Sequence, residues 1–237
     1  MIFEQFYLEC LSHASYLVGD EKTGRAVVID PRRDVQQYVD SAREHGLTIE
    51  LVLETHFHAD FLSGHLEMAK ATGAKIGYGS IANPKFDAKL FADGERYSLG
   101  DVTLEIRHTP GHTPESISIV VYEHSSDAIP YGVLTGDTLF IGDVGRPDLL
   151  VSVGKTSNEL GHLLFASLRD KLLTLPDSTR VYPAHGAGSA CGKNLSTETM
   201  STIGEQRRTN YALQFTNIDD FIDVVTEGQP PAPGYFI

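Results

Sequence analysis

Runs rich in β-branched and aromatic residues open the chain: 14–18 and 25–30 flank the turn Gly19-Asp20-Glu21-Lys22-Thr23-Gly24, a pattern that predicts a β-hairpin. After Asp30-Pro31, the apolar side chains of Val35, Tyr38, Val39 and Ala42 recur at helical spacing. A helix is expected over 34–45, with Asp34 placed to cap it and Gly46 to end it. Residues 51–53 read as a short buried strand that runs into a histidine-rich segment, and a helix follows from about Ser63 to Ala71. Further strands are expected at 102–107, 116–122, 131–135 and 180–182, and helices at 157–173, 196–213 and 218–226. No internal repeat interrupts this order.

Composition narrows the function classes. With 237 residues the chain suits one large domain or two small ones and buries enough surface to need no disulfide staple. Cys10 and Cys191 are its two cysteines, far apart in sequence, which points to a reducing compartment and a cytoplasmic location. The N-terminus lacks a basic region followed by an apolar run, and no apolar stretch is long enough to span a bilayer, so no membrane partner is expected. A formal net charge of −13 repels phosphate backbones, and the basic pairs Arg32-Arg33 and Arg207-Arg208 form no patch to override it, so nucleic acid is not an expected partner either. We expect one domain over 1–227, followed at 228–237 by a Pro/Gly-rich linker or surface arm.

The chemistry gathers in four segments: Thr55-His56-Phe57-His58-Ala59-Asp60, Thr109-Pro110-Gly111-His112-Thr113-Pro114, Thr135-Gly136-Asp137-Thr138 and Pro183-Ala184-His185-Gly186. Each follows, or nearly follows, an expected strand, where loops at strand ends converge on a crevice. Imidazole and carboxylate together suit zinc or ferrous iron. A single histidine more often fills a surface or hydrogen-bonding role, and His13, His45, His124 and His162 are read that way. His65 and His108, beside the motif loops, are read first in the same way, with support of a ligand as the alternative.

In their order and residues these segments resemble the metal-binding motifs of the metallo-β-lactamase superfamily, with similar flanking order over nearly the whole chain. The resemblance implies an α/β (α+β) fold, an αββα sandwich of two mixed β-sheets with helices on the outer faces and the site at one sheet edge. Binuclear hydrolases of that superfamily, such as glyoxalase II, carry a further histidine directly after the first-motif aspartate. Phe61 stands there in this chain, and a phenyl ring donates no lone pair, which argues for one metal. Long stretches through 55–65, 142–149 and 183–193 resemble the iron-dependent persulfide dioxygenases, above all the bacterial type fused to rhodanese domains.

By that resemblance one Fe(II) per chain is held by His56, His112 and Asp137, with His58, Asp60 and His185 close by in catalytic roles. Two histidines and one carboxylate leave three positions, room for a persulfide sulfur and dioxygen on one ion. The implied reaction consumes O2 and a small-molecule thiol persulfide, glutathione persulfide first and coenzyme A second, and gives sulfite and free thiol. A rhodanese partner and a homodimer are further expectations. Arg146, nine residues after Asp137, is placed in the related enzymes to meet a glutathione carboxylate; a salt bridge with Asp143 or Asp148 is the alternative. Pro147 departs from the Thr found after this Arg in many non-fused dioxygenases. Lys193 and Cys191 complete the substrate-binding candidates: Lys193 lowers the thiol pKa if the loop folds back, and a buried inert thiol is the alternative. Cys10 is expected in the core. Two other functions compete: a glyoxalase II-like thioester hydrolase, and a non-catalytic metal-binding module that docks a sulfur carrier.

Overall fold

Strands apolar on both faces need cover on both, and two six-stranded sheets supply it for one another. A computed structural model describes residues 1–149, 154, 156–229 and 231. The first sheet contains β1 (Ile2–Leu8), β2 (His13–Asp20), β3 (Arg25–Ile29), β4 (Thr48–Leu53), β5 (Lys75–Gly79) and β6 (Lys89–Phe91), in that spatial order. The second contains β7 (Arg96–Ser98), β8 (Thr103–His108), β9 (Ile117–Tyr122), β10 (Gly132–Gly136), β11 (Arg180–Pro183) and β12 (Ser201–Thr202), ordered β12-β11-β10-β9-β8-β7. Both are mixed: β3, β4, β5 and β6 pair in parallel, as do β10 and β11, and the other pairs are antiparallel.

Period-two alternation sorts each strand's side chains between layers. Tyr16 and Val18 of β2 and Val27 and Ile29 of β3 face inward, against Leu104, Ile106, Ile119 and Leu134 of the second sheet. Leu17, Ala26, Val28 and Val52 face outward, where α1 (Gln36–Glu44) and α2 (His65–Thr72) cover them with Tyr38, Ala42 and Met68. The outer face of the second sheet is covered by α3 (Ser157–Ala166), α4 (Ile203–Thr209) and α5 (Ile218–Thr226), through Leu164, Ile203, Phe221 and Val225. The expected sandwich is therefore observed, hairpin included.

The differences are local and have physical causes. Val35 rather than Asp34 stands at the start of α1, in helical conformation and without a side-chain cap. The expected long helix at 196–213 is broken up: Ser201 and Thr202 pair with β11, the Thr202 hydroxyl caps Glu205, and Asn210 leaves the helical region to cap Ala212. Short polar side chains that bond to nearby backbone N–H groups compete with helix propagation. The helix expected at 157–173 starts at a Thr156–Glu159 capping box and turns π-helical over Ser167–Leu172. Cys10 lies exposed in a 3₁₀ turn (Glu9–Leu11), not in the core, because the chain reverses at Ser12 with φ +51°. Most of segment 228–237 lies outside the described residues, and no described helix is long and apolar enough to cross a membrane.

Asp20 ties the sheets together at the end remote from the histidines. Its carboxylate accepts from the N–H groups of Lys22 and Thr23 in its own turn and from Asp101 and Val102 of the facing sheet. Burial disfavours the charge, but these four donors outweigh it and hold the carboxyl below its ordinary value of 3.8. A depressed carboxyl contributes stability above its unfolded value and loses it as pH falls through the folded one. Asp20→Asn should therefore cost about 1–3 kcal/mol in denaturant unfolding at pH 7. The deficit against wild type should shrink as pH drops below 3.8; a constant deficit would show that the charge is not responsible.

Candidate metal centre

The two sheets join where the four motif loops meet. The first motif follows β4, and the others follow β8, β10 and β11, so the side chains come from both sheets. His13 at the start of β2 bridges to His185, with Ala14 N donating to Ala184 O (2.8 Å) and Gly186 N to Ser12 O (2.8 Å).

Within this junction, His56 Nε2 lies 3.7 Å and His112 Nε2 3.5 Å from Asp137 Oδ2. The two rings stand perpendicular, and all three side chains are buried. Ligand atoms around a first-row metal with bonds of about 2.1 Å stand about 3.0–3.4 Å apart, so each imidazole needs to approach Asp137 by only a few tenths of an ångström. Supporting bonds set the tautomers. Asp30 Oδ2 accepts from Thr55 Oγ1 (2.8 Å), which leaves that hydroxyl to accept from His56 Nδ1 (2.9 Å). His112 Nδ1 donates to the backbone carbonyl of Arg146 (3.1 Å). Each imidazole thus carries its proton on Nδ1 and turns a lone pair on Nε2 towards Asp137. Burial first, and then His58, pushes His56 well below its ordinary value, which keeps it neutral.

Asp137 is the anion of the centre. Burial opposes its ionisation, but His185 above all, with His56 and His112, holds the carboxyl well below the usual range. Its Oδ1 accepts from His185 Nδ1 (2.7 Å), whereas Oδ2 is buried with no hydrogen-bond partner. An unpartnered buried carboxylate oxygen facing two imidazole lone pairs is what a cation would satisfy, so the donor set fits a metal ion. Burial also opposes a charged His185, but Asp137 and Asp60 together raise it to about 10.

The other expected residues fall into different places. Asp60 lines a cavity with His56, Phe57, Ala59, His112, Thr113, Leu149 and Cys191, and its Oδ2 is 2.8 Å from His185 Nε2. His58 is not on that wall. It is turned into a buried cluster with Asp30 (3.0 Å) and Glu54 (3.4 Å), whose charges raise its pKa well above the ordinary value against the effect of burial. Arg146 is buried and grips Asp148 through Nε and Nη2 of its guanidinium (2.8 and 2.7 Å), the salt bridge expected as the alternative to a substrate contact. Lys193 does not fold back on Cys191; its ammonium meets the carbonyls of Val224 and Glu227 at the end of α5. Burial, then Asp137 and Asp60, pushes the Cys191 thiol up rather than down.

His13, expected in a surface or hydrogen-bonding role, is instead fully buried without a hydrogen-bond partner, with its ring 4.1 Å from Phe61 and 5.5 Å from His185. Two further residues escaped the reading of the sequence. Glu54 and Asp30 form the acidic pair under His58, and His65 also reaches Glu54 (3.2 Å). The positive φ of Asp30, 51°, marks its special position, and its place directly before Pro31 was the one available signal.

Comparison with known proteins decides the family. Residues 8–185 match the model of the metallo-beta-lactamase superfamily. The chain belongs to this superfamily. A metallo-beta-lactamase structure from Staphylococcus aureus subsp. aureus COL is 40% identical, with a TM-score of 0.91 over 99% of this chain and 70% of that one. The persulfide dioxygenase ETHE1, mitochondrial, of Bos taurus is 30% identical, over 92% of this chain and 78% of its own length. The cytoplasmic hydroxyacylglutathione hydrolase of Arabidopsis thaliana is 33% identical, over 76% of this chain and 66% of its own length. Relatives named for two different activities therefore lie at similar distance, and the donor set must discriminate between them.

In this superfamily member the loop at 142–149 is pressed against the donors. A Cβ on Gly145 would stand 1.8 Å from the Asp137 carbonyl oxygen and 3.1 Å from His112 Cβ. Gly145→Ala must therefore displace two of the three donors. We expect metal affinity, measured by competition with a chelator, to fall about 10–100-fold, the range seen when residues supporting ligands are altered; unchanged affinity would mean that the loop does not set the donor positions.

Proposed function

We propose that this protein is a mononuclear, iron-dependent persulfide dioxygenase that oxidises a low-molecular-weight thiol persulfide with O2 to sulfite and free thiol. The balance is RSSH + O2 + H2O giving RSH and sulfurous acid, which ionises to sulfite. The observation that carries the reading is Phe61, whose ring packs on His13 (4.1 Å) and His58 (4.6 Å) and brings no donor to the cavity. That leaves His56, His112 and Asp137 as one complete face, two imidazoles and a carboxylate, of the kind that suits non-haem Fe(II). The bovine relative's name supports the same assignment.

Bound there, ferrous iron would supply open coordination positions and a redox-active centre, while the four electrons that reduce O2 come from the outer sulfur of the persulfide. The protein's own contribution is to hold and shield. Asp30 and Thr55 lock His56, the Arg146 carbonyl locks His112, and the apolar Phe57, Ala59 and Leu149 limit water in the cavity. Asp60, paired with His185, places a carboxylate on the cavity wall: burial opposes its charge, but His185 holds the carboxyl below its ordinary value of 3.8, so it stays ionised and orients the entering thiol by accepting hydrogen bonds. Glutathione is the proposed carrier thiol, and a rhodanese-type sulfurtransferase the proposed source of persulfide sulfur.

A thioester hydrolase is favoured by one observation, the Arabidopsis relative, and opposed by Phe61, since the binuclear route holds its hydroxide between two ions. Metal analysis with an oxygen electrode separates the two. Iron-loaded protein should carry one iron per chain and consume one O2 per glutathione persulfide, with turnover lost under anaerobic conditions. Zinc-loaded protein that hydrolyses a glutathione thioester equally well without oxygen would replace this reading with the hydrolase.

A further inference from the structure

Phe61 follows Asp60 directly, but it lines a different hollow: an open groove of about 360 Å³ between the 3₁₀ turn after β1, the start of α1 and the loop before α2. Leu11, Phe61 and Leu62 form its apolar wall, and Arg32, Asp34 and Gln37 its polar one. Leu11 is 39% and Leu62 69% exposed, so large apolar side chains face solvent beside the metal centre. The backbone holds the two walls in register. Arg32 pairs with Ser63 in an isolated β-bridge, and Gly64 N donates to Pro31 O (2.6 Å). A Cβ on Gly64 would stand 2.1 Å from the Arg32 carbonyl oxygen, so this close approach depends on the glycine.

Two opposite charges in the polar wall stay apart. Arg32 Nη2 donates to the side-chain oxygen of Gln37 (2.6 Å), but among the described residues its guanidinium meets no carboxylate, and the Asp34 carboxylate meets no cation. Arg146, by contrast, is already taken by Asp148. A guanidinium fork matches a carboxylate and a carboxylate matches an ammonium, and an α-amino acid carries both on a single carbon. We infer that this groove takes the α-amino-acid end of the persulfide's carrier thiol, with Arg32 on its carboxylate and Asp34 on its ammonium, an assignment that rests on the dioxygenase reading. The reach sets the length of the carrier. The Phe61 ring stands 4.6 Å from that of His58, which stands 4.1 Å from that of the donor His56. Two ring contacts thus separate the groove from the donors, a span that an extended tripeptide of about 10 Å covers and a single amino acid of about 3.5 Å does not. A γ-glutamyl peptide thiol fits, with Leu11 and Leu62 against its methylenes. The phosphates of coenzyme A would meet the Asp34 carboxylate, which selects against that carrier.

S-methylglutathione, which keeps the tripeptide body and has no thiol, tests binding apart from turnover by anaerobic calorimetry on iron-loaded protein. Wild type should bind it, and Arg32→Gln about tenfold more weakly, as loss of a charge-assisted contact implies. The diethyl ester, with no free carboxylate, should bind both proteins alike. Asp34→Asn should weaken S-methylglutathione but not its N-acetyl form. Leu62→Asp, at an exposed position, gives Arg32 a partner inside the groove; it should keep the thermal midpoint and weaken binding as Arg32→Gln does. S-methylcysteine, the same headgroup on a short body, should bind wild type no more tightly than Arg32→Gln. No binding of S-methylglutathione by wild type, equal affinity in Arg32→Gln, or a loss that persists with the diester would overturn the site. Tight, Arg32-dependent binding of S-methylcysteine would overturn the tripeptide length. Wild type that binds S-methylglutathione through Arg32 yet takes up no oxygen with glutathione persulfide sinks the dioxygenase reading alone and leaves the groove assigned.

Discussion

One buried carboxylate governs the centre. Asp137 lies at the end of β10 with no exposed side-chain surface, and a lone anion there would cost many kcal/mol. Three imidazoles around it make the position tolerable, and each is held by something else. Thr55 and Asp30 fix His56, the Arg146 carbonyl fixes His112, and Asp60 sits behind His185. Remove the anion and these orientations lose their common target. The absence of a side chain at Gly145, which lets the loop lie against the Asp137 carbonyl, belongs to the same constraint.

A second charged cluster explains why the first motif contributes one donor to the His56–His112–Asp137 face rather than two. His58 is drawn to Asp30 and Glu54, and Glu54 is shared with His65. Two carboxylates and two imidazoles so placed attract one another, which fixes the chain's path from β4 into α2. Phe61 packs its ring against both His58 and His13. His56 is thereby left as the first motif's donor to Asp137.

The pattern of apolar positions was enough to find the hairpin, the central strands and the loops that bear donors, because these strands are buried on both faces and read as continuous apolar runs. It missed β1, β5, β6 and β7, which are short or half-exposed; β5 carries Gly77 and Gly79, and β6 and β7 open with Lys89 and Arg96. The motif loops after strands singled out His56, His58, Asp60, His112, Asp137 and His185, and the family resemblance picked His56, His112 and Asp137 from among them as donors. Side-chain direction was beyond the reach of either. Lys193, two residues from Cys191, turns to the end of α5, and His13, with no motif around it, is buried at the centre because the start of β2 meets the end of β11. The first meeting joins residues 31 and 34 positions apart and the second residues 172 apart, contacts that local sequence does not encode.

The joint between the sheets has a mechanical consequence. His56 is anchored in the first sheet, and His112 and Asp137 in the second, so an ion held by all three acts as a clasp across the seam. Any breathing motion that parts the halves must first break coordination, and the energy of coordination is added to the resistance of the whole sandwich against opening. Loss of the ion would then be felt first as looseness along that seam, well before any strand gives way.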